Sequence, residues 1–110
     1  MKILVTSDIH SNLDALQAVI EAAGVFDEAW CLGDIAGYGP DPNECISLVK
    51  NLPNLKCVMG NHDLALSSNR NLDVFNEEAK QAILISKKII SEESMIFLRE
   101  LPELISTDIA

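Results

Sequence analysis

Residues 1–12 read MKILVTSDIHSN, a short apolar, β-branched run that breaks into aspartate, histidine and asparagine. The run 2–6 reads as a strand covered on both faces, because Ile3, Leu4 and Val5 are apolar in succession rather than alternating. Asp8 and His10 follow two residues apart. In an extended segment, residues i and i+2 point to the same side. A carboxylate and an imidazole would then face one spot, which a pair of metal ligands requires and an ordinary polar turn also permits.

Working outward, apolar residues recur at helical spacing at Leu13, Leu16, Val19, Ile20 and Ala23, with Ser11 or Asn12 as N-cap and Gly24 as the stop. Residues 29–32 (AWCL) read as a second strand, followed by the loop GDIAGYGPDPNE. Asp41, Pro42 and Glu44 mark a helix start, with Asp41 as cap, and the helix is expected over 42–51 with Ile46, Val49 and Leu52 buried. Residues 55–59 (LKCVM) form a third strand running into GNHD. Strand, helix, strand, helix, strand in sixty residues implies parallel pairing and the α/β class. Beyond Asp73 the pattern is helical, over 77–90 and, capped by Ser91, over 92–101; residues 104–109 read as a further strand.

The chain has 110 residues, enough for one domain with one modest core. Its net charge of −9 argues against long nucleic acids and anionic membranes as partners. No apolar stretch approaches the roughly 20 residues that span a bilayer. There is no signal-peptide pattern either, so the expected location is the cytoplasm. Cys31, Cys45 and Cys57 lack CxxC spacing and are odd in number, which excludes a disulfide framework or a thiolate zinc site. Cys31 and Cys57 fall inside strands and read as small buried hydrophobes.

In a parallel sheet the C-terminal strand ends share one edge, where ligands bind. Strand one ends in Asp8 and His10, strand two in Gly33-Asp34, strand three in Gly60-Asn61-His62-Asp63. Each alone reads as a turn or a solvated loop. Together they place both histidines of the chain on one edge with the carboxylates of Asp8 and Asp34. Carboxylate, imidazole and carboxamide donors suit Mn, Fe, Co, Ni or Zn. Asp34, in the middle, has the position to bridge two ions about 4 Å apart, as two-metal phosphoryl transfer requires.

DIH, then GDIAGYGPDPNE, then GNHD resembles the calcineurin-like metallophosphoesterase superfamily, in the order DxH, GD, GNH, and in its second motif a branch of small bacterial and archaeal phosphoesterases. The resemblance implies that Asp8, His10 and Asp34 hold a first divalent ion and that Asp34 with Asn61 holds a second. It also implies that His62 serves as general acid, with Asp63 orienting His62 or standing as an exposed helix cap. The implied reaction is hydrolysis of a phosphomonoester or phosphodiester, a small phosphoester or nucleotide, by metal-bound hydroxide.

The superfamily packs two halves into a double sheet, the second half supplying further histidines in H-small-Pro and GH segments. Here His10 and His62 are the only histidines. Residues 1–110 are therefore expected to be a single domain comprising the N-terminal half, with a weak second metal site. Such a half is expected to form a homo-oligomer or to pair with a missing C-terminal half. The reading from another class is a non-catalytic or truncated module of the same fold acting in assembly or interaction. Other phosphate folds fit less well. There is no DxD after strand one, no GxxxxGK[ST] and no dinucleotide fingerprint. A receiver-type acidic cluster leaves His10, Asn61 and His62 without a purpose.

Overall fold

A computed structural model describes residues 1–68 and 72–103. Three parallel strands, β1 (Ile3–Thr6), β2 (Glu28–Cys31) and β3 (Lys56–Cys57), form one sheet in the order β1-β2-β3. The register pairs Thr6 with Cys31 and Cys31 with Cys57. Helices α1 (Leu13–Ala23) and α2 (Pro42–Lys50) occupy the two crossovers. After β3 come α3 (Asn61–Ser67), a short 3-10 turn (Leu72–Val74), α4 (Glu77–Ile89) and α5 (Glu92–Arg99). This is the expected α/β architecture, a parallel βαβαβ unit followed by helices. The expected strand over 104–109 lies outside the described residues.

The helices start where side chains satisfy their free amides. Asn12 accepts from Ala15 N–H at 3.1 Å, Asn76 from Ala79 N–H at 2.8 Å, and Ser91 from Ser94 N–H at 3.1 Å. Asp41 occupies the N-cap of α2 but its side chain makes no cap bond. Its own N–H is instead tied to the Ser11 carbonyl at 3.1 Å, and Pro42 begins the helix with no N–H to satisfy.

Cys31 and Cys57 point into the core with Leu16, Ile35, Ile46, Val49, Leu66 and Leu98. Leu52, expected inside, is only partly buried. The other sheet face is barer: Val5 is 52 % and Leu32 54 % exposed. Strand β1 is thus covered on one face rather than both. The uninterrupted apolar run that suggested two-sided burial leaves Val5 without a covering layer among the described residues. All three cysteines are buried free thiols, as expected for Cys31 and Cys57 from their places in strands; Cys45 is buried on α2. The hydrogen bond to Cys31, and then burial, push the Cys57 thiol up, which keeps it protonated.

The chain closes on itself at the third strand. Met59 N–H bonds the Pro102 carbonyl at 2.8 Å, bringing the segment after α5 to the edge of β3. None of the helices is long and apolar enough to cross a membrane among the described residues.

Candidate metal centre

The strands stop early and their polar ends continue as a braid of loops. Asp8 N–H reaches the Gly33 carbonyl at 3.3 Å, His10 N–H the Asp34 carbonyl at 2.9 Å, and Ser11 N–H the Ile35 carbonyl at 2.8 Å. These bonds carry the β1–β2 pairing forward through residues that are no longer extended. Asp8, His10, Ser11 and Asp34 have φ of 55°, 48°, 60° and 55°. Left-handed backbone at four non-glycine residues is costly and persists only where the surroundings impose it.

One ligand atom each from Asp8, His10 and Asp34 lies within 4.8 Å of the others. The grouping matches the expectation, but its cause differs. The strand ends at Thr6, so Asp8 and His10 converge through left-handed turns and not through strand alternation. His10 Nε2 stands 3.5 Å from Asp8 Oδ1. Asn61 opens α3 directly after Gly60 and is exposed. His62, the next residue, is buried, its ring centroid 4.6 Å from that of His10.

Aromatic rings frame the histidines. Tyr38 lies edge-on to His10 at 5.2 Å and tilted to His62 at 5.0 Å, while Phe75 meets His62 at 4.8 Å. Burial, and then the nearby His10, draw His62 below the ordinary imidazole value, against the opposite pull of Asp34 and Asp8. The buried Nδ1 atoms of His10 and His62 have no hydrogen-bond partner among the described residues. Buried imidazole nitrogens are ordinarily satisfied, so two side by side fit a donor set that awaits a cation or ligand.

Asp63 departs from both roles expected of it. It is fully buried, so it is not an exposed cap, and its carboxylate does not meet His62. It accepts instead from Asp34 N–H at 2.8 Å, Ile35 N–H at 3.0 Å and Gly60 N–H at 3.0 Å, with Ala36 N–H farther at 3.4 Å. The reason lies in its place at the third position of α3, from which a carboxylate reaches back to the amide preceding the helix. Burial pushes its carboxyl up to about 6, while the amides of Gly60, Ala36 and Asp34 pull it down. Such close approach of the two turns needs glycine: a Cβ on Gly33 would stand 2.5 Å from Gly60 N.

Three other residues escaped the sequence reading. Ser11, offered as a cap, is fully buried, and its Oγ accepts Gly37 N–H at 3.2 Å. Ser86 Oγ donates to the Gly37 carbonyl at 2.6 Å. Phe75 closes over His62. A signal for Ser86 existed: with Ala79 and Ile83 it completes the buried stripe of α4, where a serine needs a partner.

The chain belongs to the calcineurin-like phosphoesterase family, whose pattern matches residues 1–102. It is 47 % identical over 110 residues to an uncharacterized protein of Methanocaldococcus jannaschii, covering 97 % of this chain and 44 % of that one. It is 40 % identical over 70 residues to a symmetrical bis(5'-nucleosyl)-tetraphosphatase of Psychromonas ingrahamii, covering 60 % of this chain and 25 % of the enzyme. The crystal structure of a metallophosphoesterase from Sphaerobacter thermophilus superposes with a TM-score of 0.82 at 44 % identity, covering 98 % of this chain and 44 % of that one. The chain thus spans less than half the length of the relatives it matches.

Proposed function

We propose that this chain is the N-terminal half of a metal-dependent phosphoesterase acting on a small phosphoester, a nucleotide in particular. The observation that carries the reading is the gathering of Asp8, His10 and Asp34 within 4.8 Å, beside two unpartnered imidazole nitrogens. Asp8, His10 and Asp34 would hold a first divalent ion (Mn, Fe, Co, Ni or Zn), and Asp34 with Asn61 a second, more weakly for want of histidines. Ions bound there would supply Lewis acidity toward phosphoryl oxygens and acidify a water.

The chain's own residues do the rest. Asp34 would be shared by the two sets of donors, and its Oδ1 accepts His62 N–H at 3.0 Å, which ties the start of α3 to the GD turn. The His62 ring, walled by Phe75 and Tyr38, would serve as the general acid toward the leaving oxygen. Tyr38, 52 % exposed, presents an aromatic edge beside the site. The tetraphosphatase relative supports a nucleotide as substrate. Half-exposed Val5 and Leu32 support a missing second layer, which is also the source of the remaining ligands. The expected location of the whole protein is the cytoplasm.

The test is Mn²⁺ binding, with hydrolysis of an aryl phosphodiester, an aryl phosphomonoester and a dinucleoside polyphosphate, by the chain and by Asp34→Asn. Saturable Mn²⁺ binding that Asp34→Asn weakens by at least tenfold is expected. Hydrolysis lost in the variant would show a working site in this half. Binding without hydrolysis would assign catalysis to the longer protein, and no binding would overturn the reading.

A further inference from the structure

Asp63 is the most telling residue near the site that is not part of the proposed ligand set. Its carboxylate fills a hollow of converging backbone amides, from residues 34 to 36 on one loop and Gly60 on another. Such a concavity of successive N–H groups attracts anions. Here the chain fills its own nest with a fully buried carboxylate.

What the nest is made of matters more than its being filled. Asp34 N–H belongs to the shared ligand itself, and Gly60 N–H belongs to the residue before Asn61. Asp34 has φ 55°, a conformation that a non-glycine residue keeps only when its surroundings impose it. Bonds of 2.8 Å on its own N–H and 3.0 Å on that of Ile35 supply the constraint. The tie is returned, because Asp34 Oδ1 accepts from His62 N–H, one residue before Asp63. The GD turn and the GNHD turn are therefore bolted together by two crossed carboxylates, each accepting backbone N–H of the other turn.

We infer that Asp63 is a positioning residue that sets the metal affinity of the site by locking the GD turn onto the GNHD turn. The inference rests on the metal reading proposed above. Asp63 bonds only backbone N–H groups and no proposed metal-ligating atom, and its leverage runs through the backbone of Asp34 and Gly60. Loss of a group that orients a ligand typically costs 10–100-fold in metal affinity.

The experiment compares Mn²⁺ titration calorimetry of the unmodified chain, Asp63→Asn and Val49→Ala. Asparagine keeps the volume and one acceptor oxygen but turns an amide group toward backbone N–H donors. Val49, fully buried in the core, lies outside the site and controls for lost stability. Asp63→Asn is expected to bind Mn²⁺ about 10–100-fold more weakly, with Val49→Ala within about twofold of the unmodified chain. Affinity of Asp63→Asn within twofold of the original, or equal weakening by Val49→Ala, would overturn the inference and leave the metal reading standing. An unmodified chain that fails to bind Mn²⁺ would overturn both.

Should Asp63→Asn not fold, amide exchange in the unmodified chain decides, because coupling is reciprocal. Saturating Mn²⁺ is expected to slow exchange at Ile35, Ala36 and Gly60 at least tenfold more than at Val49. Equal slowing at all four amides would overturn the inference.

Discussion

Gly37 and His62 are in contact so close that no side chain fits between them: a Cβ on Gly37 would lie 2.8 Å from His62 Nδ1 and 3.3 Å from His10 Nδ1. The glycine cannot retreat, because Ser11 Oγ holds its N–H and Ser86 Oγ holds its carbonyl. Its φ of 130° is also one that L side chains avoid. Gly37→Ala therefore strains the backbone and pushes the imidazoles at once. The expected result is a loss of about 2 kcal/mol in urea unfolding, together with weaker Mn²⁺ binding. Full stability and unaltered binding would contradict this packing.

Thr6 supplies the opposite sign. Its hydroxyl is buried at the end of β1 with no partner among the described residues. An unsatisfied buried hydroxyl is a penalty that valine, of the same shape, removes. Thr6→Val is expected to stabilise the chain by about 1 kcal/mol, a rise of several degrees in thermal midpoint. A fall in the midpoint would mean that the hydroxyl has a partner in solution, such as a trapped water.

The fold was legible because its signals are local. Apolar spacing at Leu13, Leu16 and Ile20, with Asn12 ahead and Gly24 behind, specifies α1 almost to the residue. The strand ends were legible as places, since Asp8, Asp34 and Asn61 each follow an apolar run. What could not be read was how those ends are held. Left-handed backbone at Asp8, His10 and Asp34 leaves no mark in a sequence when the residues are not glycine. The burial of Asp63 depends on amides 27 to 29 positions away. Local rules offered it a helix-capping role, and one of its bonds, to Gly60 N–H, is of that kind. The sidedness of β1 was misread for a related reason: a short apolar run carries no record of which layers cover it.

Cys45 gives a pH signature away from the site. Burial, and then Asp41 and Glu44, push its thiol from the ordinary 9.0 up to about 11. A thiol whose folded value is raised releases its proton first in the unfolded chain. Its contribution to stability is complete below pH 9 and disappears as the pH rises to about 11. Comparing the chain with Cys45→Ala cancels the titration of other groups. The difference between their urea midpoints is expected to be constant from pH 7 to 8 and to narrow between 9 and 11. A difference that does not change with pH would place Cys45 in a more polar setting than the structure shows.

Asn43, in the first turn of α2, joins three helices. Its Nδ2 donates to the Ile89 carbonyl at 2.9 Å and its Oδ1 accepts Ser91 N–H at 2.8 Å, so one side chain of α2 grips the corner between α4 and α5. Ile90 carries extended backbone between the two helices and packs on the core, while Asn43 holds the backbone on either side of it. Asn43→Ala removes both bonds, and because the groups are exposed, water replaces part of what is lost. The expected cost is about 1–2 kcal/mol in urea unfolding, with Mn²⁺ affinity unchanged. Asn43→Asp keeps the acceptor for Ser91 but turns a charged oxygen on the Ile89 carbonyl, so it is expected to lose as much as alanine. An aspartate variant as stable as the original chain would show that the Ile89 bond contributes nothing and that the Ser91 bond alone sets the corner.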